Sequence, residues 1–169
     1  EFARRAQAFH PACITGVRRT VRSSDPAFTS IHAIAELDSV LPETDILVMA
    51  LPSTAETVGI LSRERIALLP DSAFVVNVGR GTAIDQEALC DALNAGRLAG
   101  AALDVVVPEP LPADHPLRRA KNLLLTPHVA GNMTLGYTCD KSVQMFCDDL
   151  ENYAAGRPLA HLVDRKRGY

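Results

Sequence analysis

The sequence predicts an α/β protein built on a doubly wound parallel sheet. Short apolar runs alternate with helix-like segments along the 169 residues, which is the order of strand–helix–strand units. The apolar runs are continuous rather than alternating, a pattern typical of strands that helices cover on both faces. In sheets of this kind ligands bind beyond the carboxyl ends of the strands, so we expect the functional residues there.

The start of the chain predicts a helix followed by a strand. Phe2, Ala6 and Phe9 recur at helical spacing, so residues 1–9 are expected to be the end of a helix. The apolar run at 13–17 predicts the first strand.

Residues 31–41 predict an amphipathic helix. Its inward-facing residues would be Ile31, Ile34, Ala35 and Leu41. Shorter helices are predicted at 62–69, with Ile66 and Leu69 inward, and at 85–95.

Four further apolar runs predict buried strands, at 45–51, 73–78, 99–105 and 122–126. Asp85 is suited to cap the helix at 85–95, and Gly96 to end it. The proline-rich stretch 107–116 predicts a loop. Residues 132–155 predict a long helix, which a polar tail follows.

The composition excludes several classes of function. Hydrophobic residues make up 47% of the chain and charged residues 22%, as in ordinary globular proteins. The net charge of −3 favours neither nucleic acid nor an anionic membrane as a partner. No apolar run approaches the roughly 20 residues of a membrane span. Four cysteines without CxxC spacing indicate reduced thiols rather than metal ligands, so we expect a cytoplasmic protein without a metal.

Three polar residues follow three of the predicted strands. Arg80 comes after the strand at 73–78, Glu109 lies between two prolines beyond the strand at 99–105, and His128 follows the last strand. Each residue alone could be structural: a surface arginine, a solvated loop acid, a loop histidine. Together they predict an arginine that clamps a carboxylate and a glutamate–histidine pair that moves a proton near neutral pH. Reduction of a 2-keto acid needs these groups once a hydride donor is supplied.

Asp104 and a cluster of arginines also stand out. Asp104 ends an apolar strand, where an acid needs partners because burying it alone is costly. A helix cap or a loop salt bridge would also explain it. The basic cluster near the start of the chain comprises Arg4, Arg5, Arg18, Arg19 and Arg22.

Four segments in order resemble one family, the D-isomer-specific 2-hydroxyacid dehydrogenases. They are LPSTAET at 51–57, NVGRG at 77–81, LDVVVPEP at 103–110 and TPH at 126–128, and the end of the chain, VDRKRGY, is also similar. The resemblance covers nearly the whole chain and implies a Rossmann-like sheet. It implies that Arg80 binds the substrate carboxylate and polarises the carbonyl, that His128 exchanges the proton, and that Glu109 orients His128.

The resemblance also implies a set of cofactor contacts. Leu51, Pro52 and Thr57 would line the adenosine side, and Asp104 would lie against the nicotinamide carboxamide. Backbone contacts would come from Val78, Gly79, Ala130 and Gly131.

Two departures from the family pattern carry expectations of their own. The glycine-rich GxGxxG loop should end a few residues before Glu1, so we expect the chain as given to lack that loop and the first strand, and to be inactive by itself. Residues 1–131 would then be a partial dinucleotide-binding domain, and 132–169 would return to a substrate domain. Arg18 and Arg19 replace the acid that holds the NAD ribose, which favours NADP over NAD.

The function expected from these residues is NADP-preferring, D-specific reduction of a small 2-keto acid such as glyoxylate or hydroxypyruvate. A homodimer is expected, with 108–119 and 132–155 as candidate contacts. Phosphoglycerate dehydrogenases remain an alternative, whereas Glu109 argues against formate dehydrogenases, which pair the histidine with glutamine. Two further alternatives are a cofactor-sensing scaffold like the corepressors of this fold, and a nucleotide-binding module that has lost catalysis.

Overall fold

The computed structural model describes residues 2–21, 25–131 and 136–166. These residues form six strands, and every strand pairing among them is parallel. The strands are β1 (Thr15–Arg18), β2 (Ser30–Ala33), β3 (Ile46–Met49), β4 (Phe74–Asn77), β5 (Gly100–Leu103) and β6 (Leu123–Leu125). The helices are α1 (Phe2–Ala6), α2 (Leu37–Val40), α3 (Arg63–Ile66), α4 (Gln86–Asn94) and α5 (Gly136–Ala154).

The strands are arranged in two sheets. β1 pairs with β2, and the larger sheet has the order β3-β4-β5-β6. Within the described residues β1 and β3 each keep one edge on which no strand pairs. Val17 of β1 nevertheless packs against the core of the larger sheet. The predicted parallel α/β fold class is confirmed.

The register of the larger sheet aligns the carboxyl ends of its strands. Met49 lies opposite Asn77, Asn77 opposite Leu103, and Leu103 opposite Leu125. The loops that follow these residues therefore leave the sheet from one row. This alignment brings the sequence-predicted site residues to the same edge.

The core lies on one face of the larger sheet, between the strands and helices α3 and α4. Val75 of β4 and Leu89 and Leu93 of α4 are fully buried there. Within the described residues no element covers the opposite face. Phe74 is accordingly 48% exposed and Leu124 is 62% exposed. A shallow cavity of about 430 Å³ lies on this open face.

Residues 31–41 do not form the predicted helix. Residues 30–33 are strand β2, in which Ile31 lies opposite Gly16 of β1. The helical conformation starts only after Ala33, whose N–H donates to the Glu36 carboxylate at 2.8 Å. The buried residues are Leu37 and Leu41, whereas Ala35 is exposed.

The reason for this error is that the apolar spacing within residues 31–41 suits both states. A short apolar run does not by itself distinguish a strand from a helix. The partner strand β1 decides between them, because it supplies the hydrogen bonds that make the extended state of 30–33 favourable.

The other predicted elements are present, with ends that differ by a few residues. The Asp85 carboxylate caps α4 by accepting from the N–H of Ala88 at 2.9 Å, and Gly96 ends it with a φ of +71°. The helix expected at 1–9 is α1 followed by a 3₁₀ turn, Gln7–Phe9, and its Phe2 and Phe9 are exposed.

Helix α5 stands apart from the core. None of its residues with a described side chain is buried, and Val143, Phe146 and Leu150 are exposed along it. The chain then folds back, because the Asp149 carboxylate accepts from the N–H groups of Ala160 and His161 at 2.7 and 3.0 Å. The predicted start of this helix at residue 132, Arg22 of the basic cluster and the last three residues lie outside the described residues. No described helix is long and apolar enough to span a membrane.

Two adjacent leucines after α3 test the packing. Leu69 is 2% exposed and Leu68 is 39% exposed. We expect Leu69→Ala to lower the free energy of unfolding by about 2–5 kcal/mol, because it removes buried methyl groups and leaves a cavity. Leu68→Ala should cost less than about 1 kcal/mol. Urea denaturation measures both, and equal losses would contradict the core assigned here.

Candidate active site

Three loops form the site, each at the carboxyl end of one strand of the larger sheet. Arg80 follows β4, Glu109 follows β5 and His128 follows β6. All three residues are exposed, while the strand ends beneath them are buried at Asn77 and Leu103. The candidate site residues thus face solvent, and the ends of β4 and β5 that carry two of their loops are buried.

Glu109 and His128 are in direct contact. The His128 Nδ1 and the Glu109 Oε2 are 2.8 Å apart, and with Nδ1 protonated the imidazole donates to the carboxylate. The second carboxylate oxygen, Oε1, accepts from the N–H of Val106 at 3.0 Å. The ring nitrogen Nε2 then remains as the atom for proton exchange with a substrate. The sequence-predicted glutamate–histidine pair is therefore present as a contact.

The surroundings of Glu109 favour its ionised form. The hydrogen bond from His128, then the one from the N–H of Val106, holds the pKa of Glu109 below its ordinary value against the opposing effect of burial. The positive charge of Arg80 acts in the same direction. Arg80 is thus close enough to the pair to act on it electrostatically. Glu109 is consequently a carboxylate at neutral pH, as an orienting group for imidazolium must be.

Asp104 anchors the loop that carries His128. Its Oδ1 accepts from the Thr126 hydroxyl at 2.5 Å and from the N–H of Val129 at 2.9 Å, and its Oδ2 accepts from the N–H of Ala130 at 2.8 Å. Burial raises the pKa of Asp104, but these hydrogen bonds outweigh it and hold the pKa below its ordinary value. The buried acid has the partners that the sequence analysis required, and they lie in one loop.

The backbone at His128 is in the left-handed region, with a φ of +55°. This conformation is uncommon for a residue other than glycine and costs on the order of 1 kcal/mol or more. The N–H of His128 donates to the Asp104 carbonyl at 2.9 Å, which holds the residue in this conformation. Asp104 therefore positions His128 through both its side chain and its main chain.

Asn77 plays the same part for the arginine loop. It is fully buried, its amide Nδ2 donates to the Arg80 carbonyl at 2.9 Å, and its Oδ1 accepts from the N–H of Gly79 at 3.0 Å. One guanidinium nitrogen of Arg80 donates to the Gly79 carbonyl at 2.7 Å. The loop after β4 is thus closed around one buried amide, and Arg80 projects from it at the surface.

The predicted adenosine-side residues lie in the loop after β3. Leu51 packs against the core, and Pro52 is half-buried beside it. Thr57 is buried, and its hydroxyl donates to the Pro52 carbonyl at 2.6 Å and accepts from the N–H of Thr54 at 2.8 Å. The Thr57 side chain therefore holds this loop together from inside and is not itself part of the exposed surface.

The predicted backbone contacts lie along the same edge. Gly79 is packed against Leu51, since a Cβ at Gly79 would come within 2.6 Å of the Leu51 backbone. Val78, Ala130 and Gly131 are exposed. The loops after β3, β4 and β6 thus present apolar surface and main chain together.

The predicted phosphate-binding arginines lie at the end of β1. Arg18 is the last residue of that strand, and Arg19 follows it. A guanidinium nitrogen of Arg19 lies 3.9 Å from the Glu56 carboxylate in the loop after β3. This ion pair links the smaller sheet to the larger one at the edge that carries the site.

Two supporting residues escaped the sequence analysis. Thr126 was quoted only as part of a motif, yet its hydroxyl completes the Asp104 network. Gln86 holds the backbone of Val107 next to the Glu109 loop. No spacing rule points to Gln86, because its partner is main chain 21 residues away. The described residues contain no group of three or more side chains suited to hold a metal ion.

A family model decides the relationship of this chain to known proteins. The model described as "D-isomer specific 2-hydroxyacid dehydrogenase, NAD binding domain" matches residues 1–130. The chain belongs to this family. The resemblance of the four sequence segments is therefore confirmed.

Glyoxylate/hydroxypyruvate reductase A of Klebsiella pneumoniae (strain 342) is 39% identical to this chain over 148 residues. The match covers 88% of this chain and 46% of the relative. The chain thus spans about half the length of the curated relatives that it matches.

Two solved structures are similar in fold. A D-isomer specific 2-hydroxyacid dehydrogenase from Xanthobacter autotrophicus Py2, in complex with NADPH and MES, is 35% identical with a TM-score of 0.85, over 98% of this chain and 66% of that one. An NADPH-dependent glyoxylate/hydroxypyruvate reductase from Sinorhizobium meliloti, in complex with NADP and sulfate, is 29% identical with a TM-score of 0.84, over 99% and 53%. These matches give the corepressor-like alternative no support.

Asp104→Asn tests the anchor of the histidine loop. An asparagine has one acceptor oxygen, so its NH₂ group would face a backbone N–H that Asp104 now satisfies. We expect a loss of about 1–3 kcal/mol in the free energy of unfolding at pH 7. Because the folded pKa of Asp104 is below its ordinary 3.8, the carboxylate stabilises the protein above that pH and loses this effect as the pH falls.

Urea denaturation at pH 7 and near pH 3 measures the difference between wild type and variant. The difference should shrink at the lower pH. The exposed Asp140 on α5 provides the matched control, Asp140→Asn. A difference that grew as the pH fell would contradict the assigned role.

Proposed function

We propose that the protein is an NADPH-dependent reductase of small 2-keto acids, with glyoxylate and hydroxypyruvate as substrates and D-2-hydroxy acids as chiral products. The observation that carries this proposal is the 2.8 Å contact between Glu109 and His128 beside the exposed Arg80. An ionised carboxylate, an imidazole and a guanidinium at one edge suit a reaction that protonates a carbonyl next to a carboxylate.

The residues at this edge fit a dinucleotide cofactor. Arginines lie at the end of β1, half-buried apolar residues follow β3, and exposed main chain follows β6 at Ala130 and Gly131. Arg18 and Arg19 would hold a 2′-phosphate, and Leu51, Pro52 and Val78 would contact the apolar parts. The Xanthobacter and Sinorhizobium relatives were crystallised with NADPH and NADP, which supports NADP over NAD. When bound, NADPH supplies the hydride.

The chain's own residues supply the remaining steps. Arg80 binds the substrate carboxylate and polarises the neighbouring carbonyl, since its guanidinium forms bidentate, charge-assisted hydrogen bonds. His128 Nε2 gives its proton to the carbonyl oxygen in reduction and takes it back in oxidation. Glu109 fixes the orientation of the ring through Nδ1 and stabilises the imidazolium. The left-handed backbone at His128 and the 2.8 Å contact of Nδ1 with Glu109 together set the position of the ring.

The proposal includes the location of the enzyme, its oligomeric state and the roles of its two parts. We infer a cytoplasmic homodimer in which residues 1–131 bind the cofactor and 132–169 return to a substrate domain. The four cysteines without CxxC spacing, which indicate reduced thiols, support the cytoplasm, and the exposed apolar residues of α5 support a further contact for that helix. Light scattering of the full-length protein measures the dimer.

His128→Ala tests the acid–base assignment in the full-length protein. Turnover should fall about 10²–10⁴-fold, because the proton donor is removed, while NADPH still binds. Steady-state kinetics and a fluorescence titration of NADPH measure the two effects. The exposed His10 provides the control variant, His10→Ala. Turnover near wild type in His128→Ala would sink the assignment.

A second test separates the cofactors. We expect the full-length protein to consume NADPH faster than NADH with glyoxylate and with hydroxypyruvate. Arg18→Ala/Arg19→Ala should lower kcat/KM for NADPH about 10–100-fold and leave NADH nearly unchanged, because charge-assisted contacts to the 2′-phosphate are lost.

Hydroxypyruvate also reports stereochemistry, because glycerate is chiral and glycolate is not. Faster turnover with NADH would keep the reductase and overturn the role of the arginines. Tight NADPH binding with no turnover on a keto-acid panel would favour the cofactor-sensing scaffold.

A further inference from the structure

The side chain of Gln86 clasps the backbone of Val107. Gln86 is the first residue of α4. Its Oε1 accepts from the N–H of Val107 at 2.8 Å, and its Nε2 donates to the carbonyl of the same residue at 2.6 Å. The amide group of Gln86 thus pairs with both polar groups of one residue, as a neighbouring strand would. Within the described residues, no other side chain pairs with both the N–H and the carbonyl of one residue in the loop between Val105 and Leu111.

The clasp acts on a segment that has few other supports. Residues 107–110 are all exposed, so packing does little to hold them. Gly81 supports the segment from one side, because a Cβ there would collide with the backbone of Val106. Gln86 supports it from another side through the two hydrogen bonds.

Helix α4 gives the clasp a rigid base. The N-cap Asp85 donates its N–H to the Leu61 carbonyl at 3.0 Å and accepts from Ala88, and Leu89 and Leu93 are fully buried. Gln86 is therefore fixed at the point where the helix meets the core. Because the main chain of Gln86 is held in this way, its two side-chain hydrogen bonds tie Val107 to a fixed point of the fold.

Glu109 depends on the segment that Gln86 holds. It lies two residues beyond Val107, and Pro108 between them restricts the backbone to a narrow range of φ. Glu109 also accepts from the N–H of Val106 through Oε1, which aims Oε2 at His128. A shift of residues 106–107 would therefore turn the carboxylate away from the imidazole.

We propose that Gln86 is a positioning residue for the acid–base pair: by holding Val107 it keeps the Glu109 carboxylate in register with His128. The effect of Gln86 on catalysis rests on the proposed function, whereas its effect on the position of Glu109 does not. Gln86 acts through Val107 and Glu109, and the geometry gives it no contact with the reacting groups.

The test uses Gln86→Met in the full-length protein, since methionine keeps the length of the side chain and removes both hydrogen bonds. Gln86→Ala is the second variant, because alanine is well tolerated in a helix. The control is Gln144→Met on the exposed α5, which removes a glutamine hydrogen bond to Asp148 within the same helix. Thermal unfolding of each variant reports whether the protein is folded.

Two readouts separate positioning from a structural role. The first is kcat with NADPH and hydroxypyruvate. In Gln86→Met it should fall about 3–30-fold with little change in the KM for NADPH. This range corresponds to the free energy of one or two hydrogen bonds, which is the expected cost of misplacing the Glu109–His128 pair. The second is the pKa of Glu109 by ¹³C NMR, assigned with Glu109→Gln. It should rise, because the hydrogen bonds from His128 and Val106 that now lower it would weaken, while Arg80 stays in place.

The outcomes are distinguishable from failure of the proposed function. A wild-type protein without keto-acid reduction would overturn the function, and the Glu109 titration would still decide on the clasp. If the wild type is active, a change in both readouts supports the inference. An unchanged kcat or an unchanged Glu109 pKa in Gln86→Met overturns it, even where the melting temperature falls.

Discussion

The carboxylate of Asp104 joins the ends of two neighbouring strands, and the arrangement of the site depends on it. It is a buried charge at the end of β5, so it must be compensated, and the loop after β6 compensates it with one hydroxyl and two backbone N–H groups. The cost of leaving the charge uncompensated is what holds the loop in one conformation. His128 lies inside that loop, with its own N–H on the Asp104 carbonyl.

The same division of labour recurs at the other two loops. Asn77 is fully buried and closes the loop of Arg80, while Gln86 and the N–H of Val106 hold the segment of Glu109. The groups suited to react are exposed, and the groups that hold them are buried or bonded to rigid elements. Because the supporting hydrogen bonds go to main chain, each loop is fixed before any ligand binds, which lowers the cost of orienting the reacting groups.

Much of this could be predicted from local pattern, and particular elements show where prediction stops. The helix at α4 was predictable because its cap, its buried stripe and its terminal glycine all agree. The segment 31–41 was not, because its apolar spacing suits two states and β1 chose between them. Thr57 belongs to a motif, yet its hydroxyl is used inside its own loop. Gln86 has no sequence signal, since its partner is a backbone that only the fold brings near.

The sequence by itself determined the parallel fold class, five of the six described strands and the family, together with Arg80, Glu109 and His128 as candidates. These follow from residue type and spacing, which are local properties. Only the tertiary structure decided the register that aligns the strand ends, the contact of Glu109 with His128, and the hydrogen bonds of Asp104 and Gln86. Those depend on which groups meet at sequence separations of 19 to 26 residues, and hydrogen bonds between such distant groups form only once the sheet has brought them together.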